Sequence, residues 1–553
     1  MQRLLPWFAF TALSFIVATF CACKGCKAPG GPDGNAPRAE AAASARIYML
    51  SDLAGALEPC GCVKDQLGGM DHFGALVAGE KDKAKDSGIV SAGPLFFENM
   101  ELAAERRAQE IAKADTIAAS IRSLGLIAFA PGRNDWAAGP ETLSKLTTTS
   151  AAPLLAANVE AQGVTPVKWT KKTLGGLVVG FIGVAAPEKA KLPLEGATSS
   201  PAADAVKAAI KALQGEGAQA IIALAAVGRG EAKRIADTNP ELLAIVVGAP
   251  GGGGDANTVG PAPERIGDVL VVETSNHLQT VAVLDLYVRE GGTGAGLVKF
   301  ADATGVDRMR KAQELAGRID ELRARLSSWE KDNAIDHKDI EARKADLAKL
   351  EAERDSLGKA PAPAAGSYYR YALRDVRDNL GRNELVRSRM LDYYKLVNDA
   401  NKAEFAGRKP KPATKSEAAY AGRESCVECH AEAEEFWRTT QHSHAYETLS
   451  KEFKEFNLDC VSCHVTGYDR PGGSTVTHVD RLKDVQCEAC HGPSLAHCKD
   501  GYGVPVPTPK PTGEVCKDCH HPPHVHSFDP KVKMTKILGP GHGAGKREAP
   551  PKK

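Results

Sequence analysis

The chain has 553 residues, and its 70 lysine and arginine residues balance 69 aspartate and glutamate residues. A net charge of +1 gives no electrostatic reason to expect nucleic acid as a partner. Charged residues make up 25% and hydrophobic residues 43%, which excludes a wholly disordered chain and a polytopic membrane protein. Cysteine and histidine are concentrated at one end, because nine of 14 Cys and twelve of 15 His follow residue 417.

The first 22 residues predict an export signal. Residues 4–22 carry no charge and follow Arg3, which is typical of a signal peptide, although a run of this length also fits a transmembrane helix. A tether rich in Gly, Pro and Ala follows over residues 23–45. Ala22-Cys23, at the end of the apolar run, resembles a bacterial lipoprotein cleavage site. We therefore expect a protein of the periplasm or cell envelope, anchored to the membrane by lipid on Cys23; plain secretion and a retained anchor are the alternatives.

Residues 46–303 predict an α/β sandwich domain. Short β-branched runs alternate there with helical stretches such as 101–124 and 202–214, and this alternation is typical of a largely buried sheet covered by helices. The predicted strands cover residues 46–50, 89–92, 126–130, 177–184, 220–225, 243–247, 269–273 and 281–287.

Residues 304–358 predict an antiparallel helical hairpin. Four apolar residues between positions 315 and 326 recur at steps of four, three and four, as on one face of a helix. A polar stretch at 332–336 interrupts this pattern before a second apolar stripe begins. Such a charge-rich hairpin is typically a spacer or a packing arm. Residues 359–417 are predicted to be a helical linker region, and residues 546–553 form a tail.

Residues 418–545 carry four C-x-x-C-H motifs, the attachment pattern of c-type haem. Two thiols three positions apart can bond to the two vinyl groups on one edge of a porphyrin, and the next side chain then faces the iron. We therefore predict four covalent haems in a mostly α-helical and irregular domain. The attachment cysteines are Cys426, Cys429, Cys460, Cys463, Cys487, Cys490, Cys516 and Cys519, and the proximal iron ligands are His430, His464, His491 and His520.

Three other uses of paired cysteines fit less well. Zinc sites do not require a histidine directly after every pair, and iron–sulfur ferredoxins have a denser cysteine run. Disulfides of an exported protein leave the four histidines unexplained.

Met534 is the only methionine after residue 390, so histidine is expected on both faces of most haems, which keeps their reduction potentials low. The eight remaining histidines of this region are His442, His444, His478, His497, His521, His524, His526 and His542.

The same region resembles the multihaem cytochrome c-554 family. The matching stretches are Tyr-Ala-Gly at 420–422, His-Ser-His-Ala at 442–445, Cys-His-Val-Thr-Gly-Tyr at 463–468 and Val-Gln-Cys-Glu-Ala-Cys-His-Gly-Pro at 485–493. In that family a histidine of the His-Ala element, one shortly after Cys-His-Gly-Pro and one near the C-terminal end supply distal ligands, and one haem lacks a strong sixth ligand. The resemblance therefore implies His444, His497 and His542 as distal ligands, with His478 and His526 as further candidates.

The beginning of the α/β region resembles the 5′-nucleotidase-type, calcineurin-like metallophosphatases. Residues 48–62 read YMLSDLAGALEPCGC and are followed by QLGG at 66–69. Such enzymes bind two metals through Asp, His and Asn at strand ends, and Asp52 matches their first ligand. Two-metal chemistry needs dense ligation, most of which is missing, so the resemblance implies the fold without catalysis. The family's other ligands are replaced or shifted at Ala54, at Pro94, at Ala226 and in the Arg-Asn-Asp run 133–135.

Three further cysteines have no assigned use. Cys60 and Cys62 can form a near-neighbour disulfide, bind a metal or act in redox chemistry beside the haems, and an oxidised pair is the default in an exported protein. Cys498 follows a predicted ligand and is left over as a free thiol.

We expect an extracytoplasmic electron carrier with no catalytic residues of its own. Haem supplies the redox couple, and redox partner proteins deliver and accept the electrons. The first alternative is a multihaem reductase of a small nitrogen or sulfur oxyanion at an open haem. The second is a still active metal-dependent phosphohydrolase fused to a cytochrome.

Overall fold

The computed structural model describes residues 41–60, 66–185, 197–248, 257–289, 296–330, 336–357, 361–414, 417–500, 503–521, 525, 528–539 and 542. The predicted signal peptide, most of the tether including Cys23, and the residues Cys62 and His526 lie outside this part of the chain. The same holds for the side chain of Cys60.

Sixteen strands occur in the described residues. They are β1 Ala45–Ser51, β2 Pro59–Cys60, β3 Leu67–Gly68, β4 Ser87–Ala92, β5 Leu126–Ala130, β6 Val159–Glu160, β7 Trp169–Leu174, β8 Leu177–Ala185, β9 Thr198–Ser199, β10 Ala220–Ala226, β11 Ala244–Val247, β12 Glu264–Ile266, β13 Val269–Val272, β14 Thr280–Tyr287, β15 Ala301–Asp302 and β16 Tyr368–Asp375.

Fourteen α-helices occur in the same residues. They are α1 Met70–Gly79, α2 Arg107–Leu124, α3 Pro140–Ser150, α4 Ala202–Gly215, α5 Arg229–Thr238, α6 Val306–Trp329, α7 His337–Ser356, α8 Glu384–Glu404, α9 Glu424–Val427, α10 Ala431–Trp437, α11 Ala445–Ser450, α12 Cys487–His491, α13 Leu495–Asp500 and α14 Pro530–Met534. None of these helices is long and apolar enough to cross a bilayer.

Two six-stranded mixed sheets form the centre of the α/β region. The first has the order β15-β16-β14-β1-β4-β5, in which β1, β4 and β5 are parallel and β14 is antiparallel to both of its neighbours. The second has the order β12-β13-β11-β10-β8-β7, with four parallel strands between two antiparallel edge strands. All eight strands predicted from the sequence occur, and the prediction of an α/β fold is confirmed.

The two sheets pack face to face and helices cover their outer faces. Side chains alternate along β1, so that Ile47 and Met49 pack between the sheets, whereas Tyr48 and Leu50 pack against helices α1, α2 and α8. Helices α4 and α5 cover the outer face of the second sheet. The layers are therefore helix, sheet, sheet and helix, with apolar cores between each pair of layers.

The predicted helix at the start of the linker region 359–417 is wrong. Residues Tyr368–Asp375 form β16, which pairs with β14 from Tyr287↔Tyr368 to Thr280↔Asp375. The aromatic rings of Tyr287 and Tyr368 stack at 4.5 Å, and such cross-strand pairs stabilise a sheet edge. The helix of this region begins only at Glu384, where the Asn383 side chain accepts a hydrogen bond from the Val386 amide.

Helices α6 and α7 form the predicted hairpin. Leu315, Ile319 and Leu326 are buried along one stripe of α6. Ion pairs join Lys311 to Glu353 at 2.7 Å and Arg323 to Glu351 at 2.6 Å, so the two helices run antiparallel.

The C-terminal region is built from short helices and irregular segments that share only small apolar clusters, each of three or four fully buried residues. It docks on α2 and α8 through buried polar groups. Gln109 accepts hydrogen bonds from Asn401 at 2.9 Å and from the Leu458 amide at 3.0 Å, and it donates to Asn457 at 3.2 Å. Asp459 forms ion pairs with Arg106 and with Lys113 beside this network.

Candidate haem-binding site

Each C-x-x-C-H motif lies on a short helical turn. The amide of His430 donates to the carbonyl of Cys426 at 3.0 Å, and the amide of His520 donates to that of Cys516 at 2.8 Å. A helical turn places positions three apart on the same side, so both thiols of a motif face one edge of a ligand. The third motif forms helix α12, and the second lies on a 3₁₀ turn, Val461–Cys463.

The structure describes all the cysteines of this region. They number nine, including Cys498, and none is in a disulfide. In the part of the chain that the structure describes, no group of three or more His, Cys, Asp or Glu side chains is arranged to hold a metal ion.

Attachment cysteines of different motifs lie next to each other. The thiols of Cys426 and Cys487 form a hydrogen bond that lowers the pKa of Cys487 and raises that of Cys426. A second hydrogen bond joins Cys463 and Cys519 with the same effect on the pKa of each partner, lowered for Cys463 and raised for Cys519. Cys490 of the third motif neighbours the thiols of the fourth. The motifs are therefore adjacent in the order first, third, fourth and second.

Three motif histidines each face a second histidine ring. The ring centroids are 6.4 Å apart for His430 and His497, 6.2 Å for His520 and His442, and 6.3 Å for His491 and His542.

These separations are close to the distance expected between two imidazoles that bind one metal ion. A metal–imidazole bond is about 2.0–2.1 Å long and the bonded nitrogen lies about 1.1 Å from the ring centre, so two imidazoles on opposite sides of one metal ion have centroids about 6.3 Å apart. The three pairs therefore fit an iron with two axial imidazoles.

Backbone carbonyls fix the orientation of several of these rings. Metal-binding histidines usually donate their second ring N–H to such a group, which leaves the other nitrogen for the metal. Burial lowers the pKa of His442, His464 and His520, and neutral imidazole is the form that binds a metal. The Nδ1 atoms lie 2.5 Å from the Ala445 oxygen in His464, 2.9 Å from the Thr508 oxygen in His491 and 2.6 Å from the Val504 oxygen in His497.

The structure places His442, rather than the predicted His444, opposite a motif histidine. His444 lies at the start of α11 with its Nδ1 atom 3.5 Å from a carboxylate oxygen of Glu447, three residues later. His442 is two positions earlier on the 3₁₀ turn and points towards the fourth motif. Nothing in the His-Ser-His sequence distinguishes the two, so only the fold shows which of them faces a motif histidine.

One further predicted ligand, His478, is not brought to a motif in the described residues. The Nδ1 atom of His478 lies 3.1 Å from the Thr477 hydroxyl. His464 has no ring opposite it within the described residues, and His524 and His526 lie outside them. The second motif is therefore the one whose distal side the described chain does not complete.

The predicted remnant of a metal site lies where β1 ends. Asp52 has a positive φ of 47°, and its carbonyl accepts a hydrogen bond from the His277 amide at 3.0 Å. Burial, followed by the charges of Asp135 and Glu273, raises the pKa of Asp52 to about 7. Sequence reasoning missed both Glu273 and His277, because neither belongs to the motif around residue 52.

The carboxylate of Asp135 binds backbone amides. Its carboxylate accepts hydrogen bonds from the amides of Leu95, Phe96 and Gly132 at 2.7–3.0 Å. The amide side chain of Asn134 donates to the carbonyl of Glu98. These two residues of the shifted Asn-Asp element therefore hold loops together.

Main-chain segments pack closely beside this carboxylate. A Cβ atom on Gly93 would lie 2.3 Å from the Gly132 nitrogen, and one on Gly248 would lie 2.4 Å from the Ala92 oxygen. Ala54 and Ala226 are buried next to these segments without a ligating atom. The part of this site that is described offers few oxygen or nitrogen atoms to a pair of metal ions.

The chain is similar to two different kinds of known protein. Residues 425–492 match the family model described as cytochrome c554 and c-prime. The chain is 35% identical to cytochrome c-554 of Nitrosomonas europaea over 94 residues, covering 14% of this chain and 40% of the relative. The chain thus spans about two fifths of the length of that curated relative. The family match implies covalently bound haem.

Among solved structures, the similar ones include phosphoesterases. The 5′-nucleotidase precursor from Thermus thermophilus has a TM-score of 0.42 and 17% identity, covering 66% of this chain and 60% of its own. The calcineurin-like phosphoesterase YfkN from Bacillus subtilis has a TM-score of 0.42 and 16% identity, covering 66% of this chain and 98% of its own.

Proposed function

We propose that this chain is a tetrahaem c-type cytochrome that transfers single electrons between redox partner proteins. The eight cysteines of the four motifs would hold the haems covalently, and His430, His464, His491 and His520 would bind the irons on the proximal side. When bound, haem supplies a one-electron redox couple. The chain supplies the ligands, the spacing between the motifs and their burial.

The observation that carries this proposal is the set of three histidine pairs at 6.2–6.4 Å. Each pair combines a motif histidine with one from outside every motif. We assign His497, His442 and His542 as the distal ligands of the first, fourth and third motifs. Saturated coordination suits an electron carrier, because the iron keeps the same ligands in both oxidation states.

Contacts between attachment cysteines support an order of electron transfer. The thiols of Cys426 and Cys487 are hydrogen-bonded, as are those of Cys463 and Cys519, and Cys490 neighbours the fourth motif. Electrons would therefore pass along the first, third, fourth and second motifs. The two ends of this order are the first motif and the second, which docks on the α/β region.

The number of haems is tested by the mass of the denatured holoprotein and by a haem stain after denaturing electrophoresis. Wild type is expected to carry four haems. The double variant Cys516→Ser/Cys519→Ser is expected to carry three, and the control Cys498→Ser to keep four. A polypeptide without bound haem, or a count unchanged in the double variant, would contradict the proposal.

A second candidate function is reduction of a small nitrogen or sulfur oxyanion at the second motif. It is favoured by His464, which faces no other ring in the described residues and follows Leu458, whose amide donates to Gln109 of the α/β region. An oxyanion requires an open iron position, which saturated coordination at the other three motifs would not offer.

We further propose that the α/β region is a scaffold without phosphohydrolase activity. Support comes from Asp135, whose carboxylate is used by three backbone amides, and from alanine at positions 54 and 226. Nucleotide hydrolysis assayed with added manganese or zinc is expected to stay at background in wild type and in Asp52→Ala. Metal-dependent turnover that Asp52→Ala abolishes would restore the phosphohydrolase alternative.

Location in the cell envelope, with a lipid anchor, is a proposal that rests on residues 4–22 and on Cys23. Labelling with a radioactive fatty acid is expected in wild type and in Cys21→Ser, and it should be lost in Cys23→Ser. Label retained by Cys23→Ser would contradict this assignment.

A further inference from the structure

One carboxylate lies inside the third motif. Glu488 follows Cys487 directly, belongs to helix α12 and is 3% exposed. It accepts hydrogen bonds from the amide of Ala421 at 2.8 Å, from that of Gly422 at 2.8 Å and from that of Ser494 at 2.7 Å. The three amide donors satisfy the hydrogen-bonding capacity that this carboxylate would otherwise leave buried and unpaired.

The amides that Glu488 binds belong to the two segments that carry one histidine pair. Ala421 and Gly422 lead directly into the first motif, which ends at His430. Ser494 lies immediately before helix α13, which carries His497. Because one side chain holds both segments, Glu488 fixes the separation of two rings that face each other at 6.4 Å, although it belongs to neither.

No side-chain cation forms an ion pair with Glu488 in the described residues. Glu434, the other buried carboxylate of this region, instead pairs with Arg423 at 2.5 Å and with Arg438 at 2.6 Å. Glu488 also interacts electrostatically with the thiols of Cys426 and Cys487, the attachment cysteines of two motifs. Its carboxylate therefore lies beside attachment cysteines of the first and third motifs.

We propose that Glu488 is a positioning residue that orients the His430 and His497 pair and lowers the reduction potential of the haems of the first and third motifs. The proposal rests on the proposed tetrahaem function. A fixed negative charge near a haem stabilises the ferric state, which carries one more positive charge than the ferrous state, and outer-shell hydrogen bonds orient axial ligands. One side chain therefore sets the ligand geometry of one haem and the potential of two.

The test compares three variants of the full-length holoprotein. Glu488→Gln removes the charge at nearly constant volume. Glu488→Asp keeps the charge on a side chain that is one methylene group shorter. The control Glu432→Gln removes an exposed carboxylate from the same region. Each protein is titrated spectroscopically against electrode potential, and each ferric form is examined by electron paramagnetic resonance.

Glu488→Gln is expected to raise the potentials of two of the four haems and to leave the other two and the haem count unchanged. Glu488→Asp is expected to change the g-values of one low-spin haem, since those values depend on the angle between the axial ring planes. The control should match wild type in both measurements.

Three results overturn the proposal. They are a Glu488→Gln titration that matches wild type, a shift spread equally over all four haems, and a Glu488→Asp spectrum identical to wild type. If Glu488→Gln cannot be isolated with four haems, the Glu488→Asp spectrum decides. Failure of the proposed function is distinct, because wild type itself would then lack haem or show no redox transition.

Discussion

The rings of His442 and His520 face each other at 6.2 Å, and two other attachment motifs lie between them in the sequence. The fourth motif is therefore completed by the segment that follows the first motif. Such long-range pairing makes the histidine arrangement a property of the whole C-terminal region, in which the motifs cannot take their positions independently.

Replacing His442 by Ala is expected to create one high-spin haem that binds carbon monoxide, because His520 would lose the imidazole on the opposite side. Ferric and carbon monoxide difference spectra of the purified holoprotein measure this change. His444→Ala is the matched control, two positions along the same turn, and it should leave the spectra unchanged. The opposite result, an effect of His444→Ala alone, would restore the ligand implied by family resemblance.

Patterns among neighbouring residues were enough to predict the strands that are buried runs and the motifs that have a fixed spacing. The eight predicted strands are short, mostly buried and largely apolar runs, so their composition marks them. Strand β16 was missed because its place in the sheet depends on pairing with β14, more than 80 residues earlier in the chain. The attachment cysteines follow a fixed spacing, whereas the choice between His442 and His444 depends on which side of a turn faces the fourth motif.

Asp52 makes the stability of the folded protein depend on pH. Burial raises the pKa of Asp52 to about 7, whereas an aspartate in the unfolded chain titrates at about 4. Between these values the folded state keeps a proton that the unfolded state releases, so the contribution of Asp52 to stability is fully present below pH 4. This contribution is lost as pH rises through 7.

Asp52→Asn is therefore expected to stabilise the protein at pH 8 by on the order of a few kcal/mol and to have little effect at pH 4. Chemical denaturation at several pH values measures the difference. Asp237→Asn, which changes an exposed aspartate of α5, is the control and should show no such pH dependence. Equal effects of both substitutions at all pH values would contradict the buried, proton-retaining state of Asp52.

Gln109 is expected to hold the cytochrome region on the α/β region. It is 2% exposed, and Gln109→Ala would leave the buried Leu458 amide and the Asn401 side chain without this acceptor. Leaving such groups unsatisfied should lower the free energy of unfolding by about 2–3 kcal/mol. Denaturation followed by haem absorbance and by tryptophan fluorescence measures this loss. Arg122→Ala, at an exposed position of the same helix, should change stability by less than about 0.5 kcal/mol.

The second motif decides between a carrier and an enzyme. In the described residues three motif histidines face a second ring, whereas His464 has its Nδ1 atom on the Ala445 carbonyl and no ring opposite. We therefore expect carbon monoxide to bind one haem of the reduced wild type and a second haem in His442→Ala.

If wild type binds none, His524→Ala and His526→Ala should identify the histidine that fills the second motif, and the protein is then a saturated carrier. If one haem binds carbon monoxide and nitrite or hydroxylamine is also turned over, the reductase function holds. Binding without turnover leaves electron transfer as the function, with the open position at one end of the order of motifs.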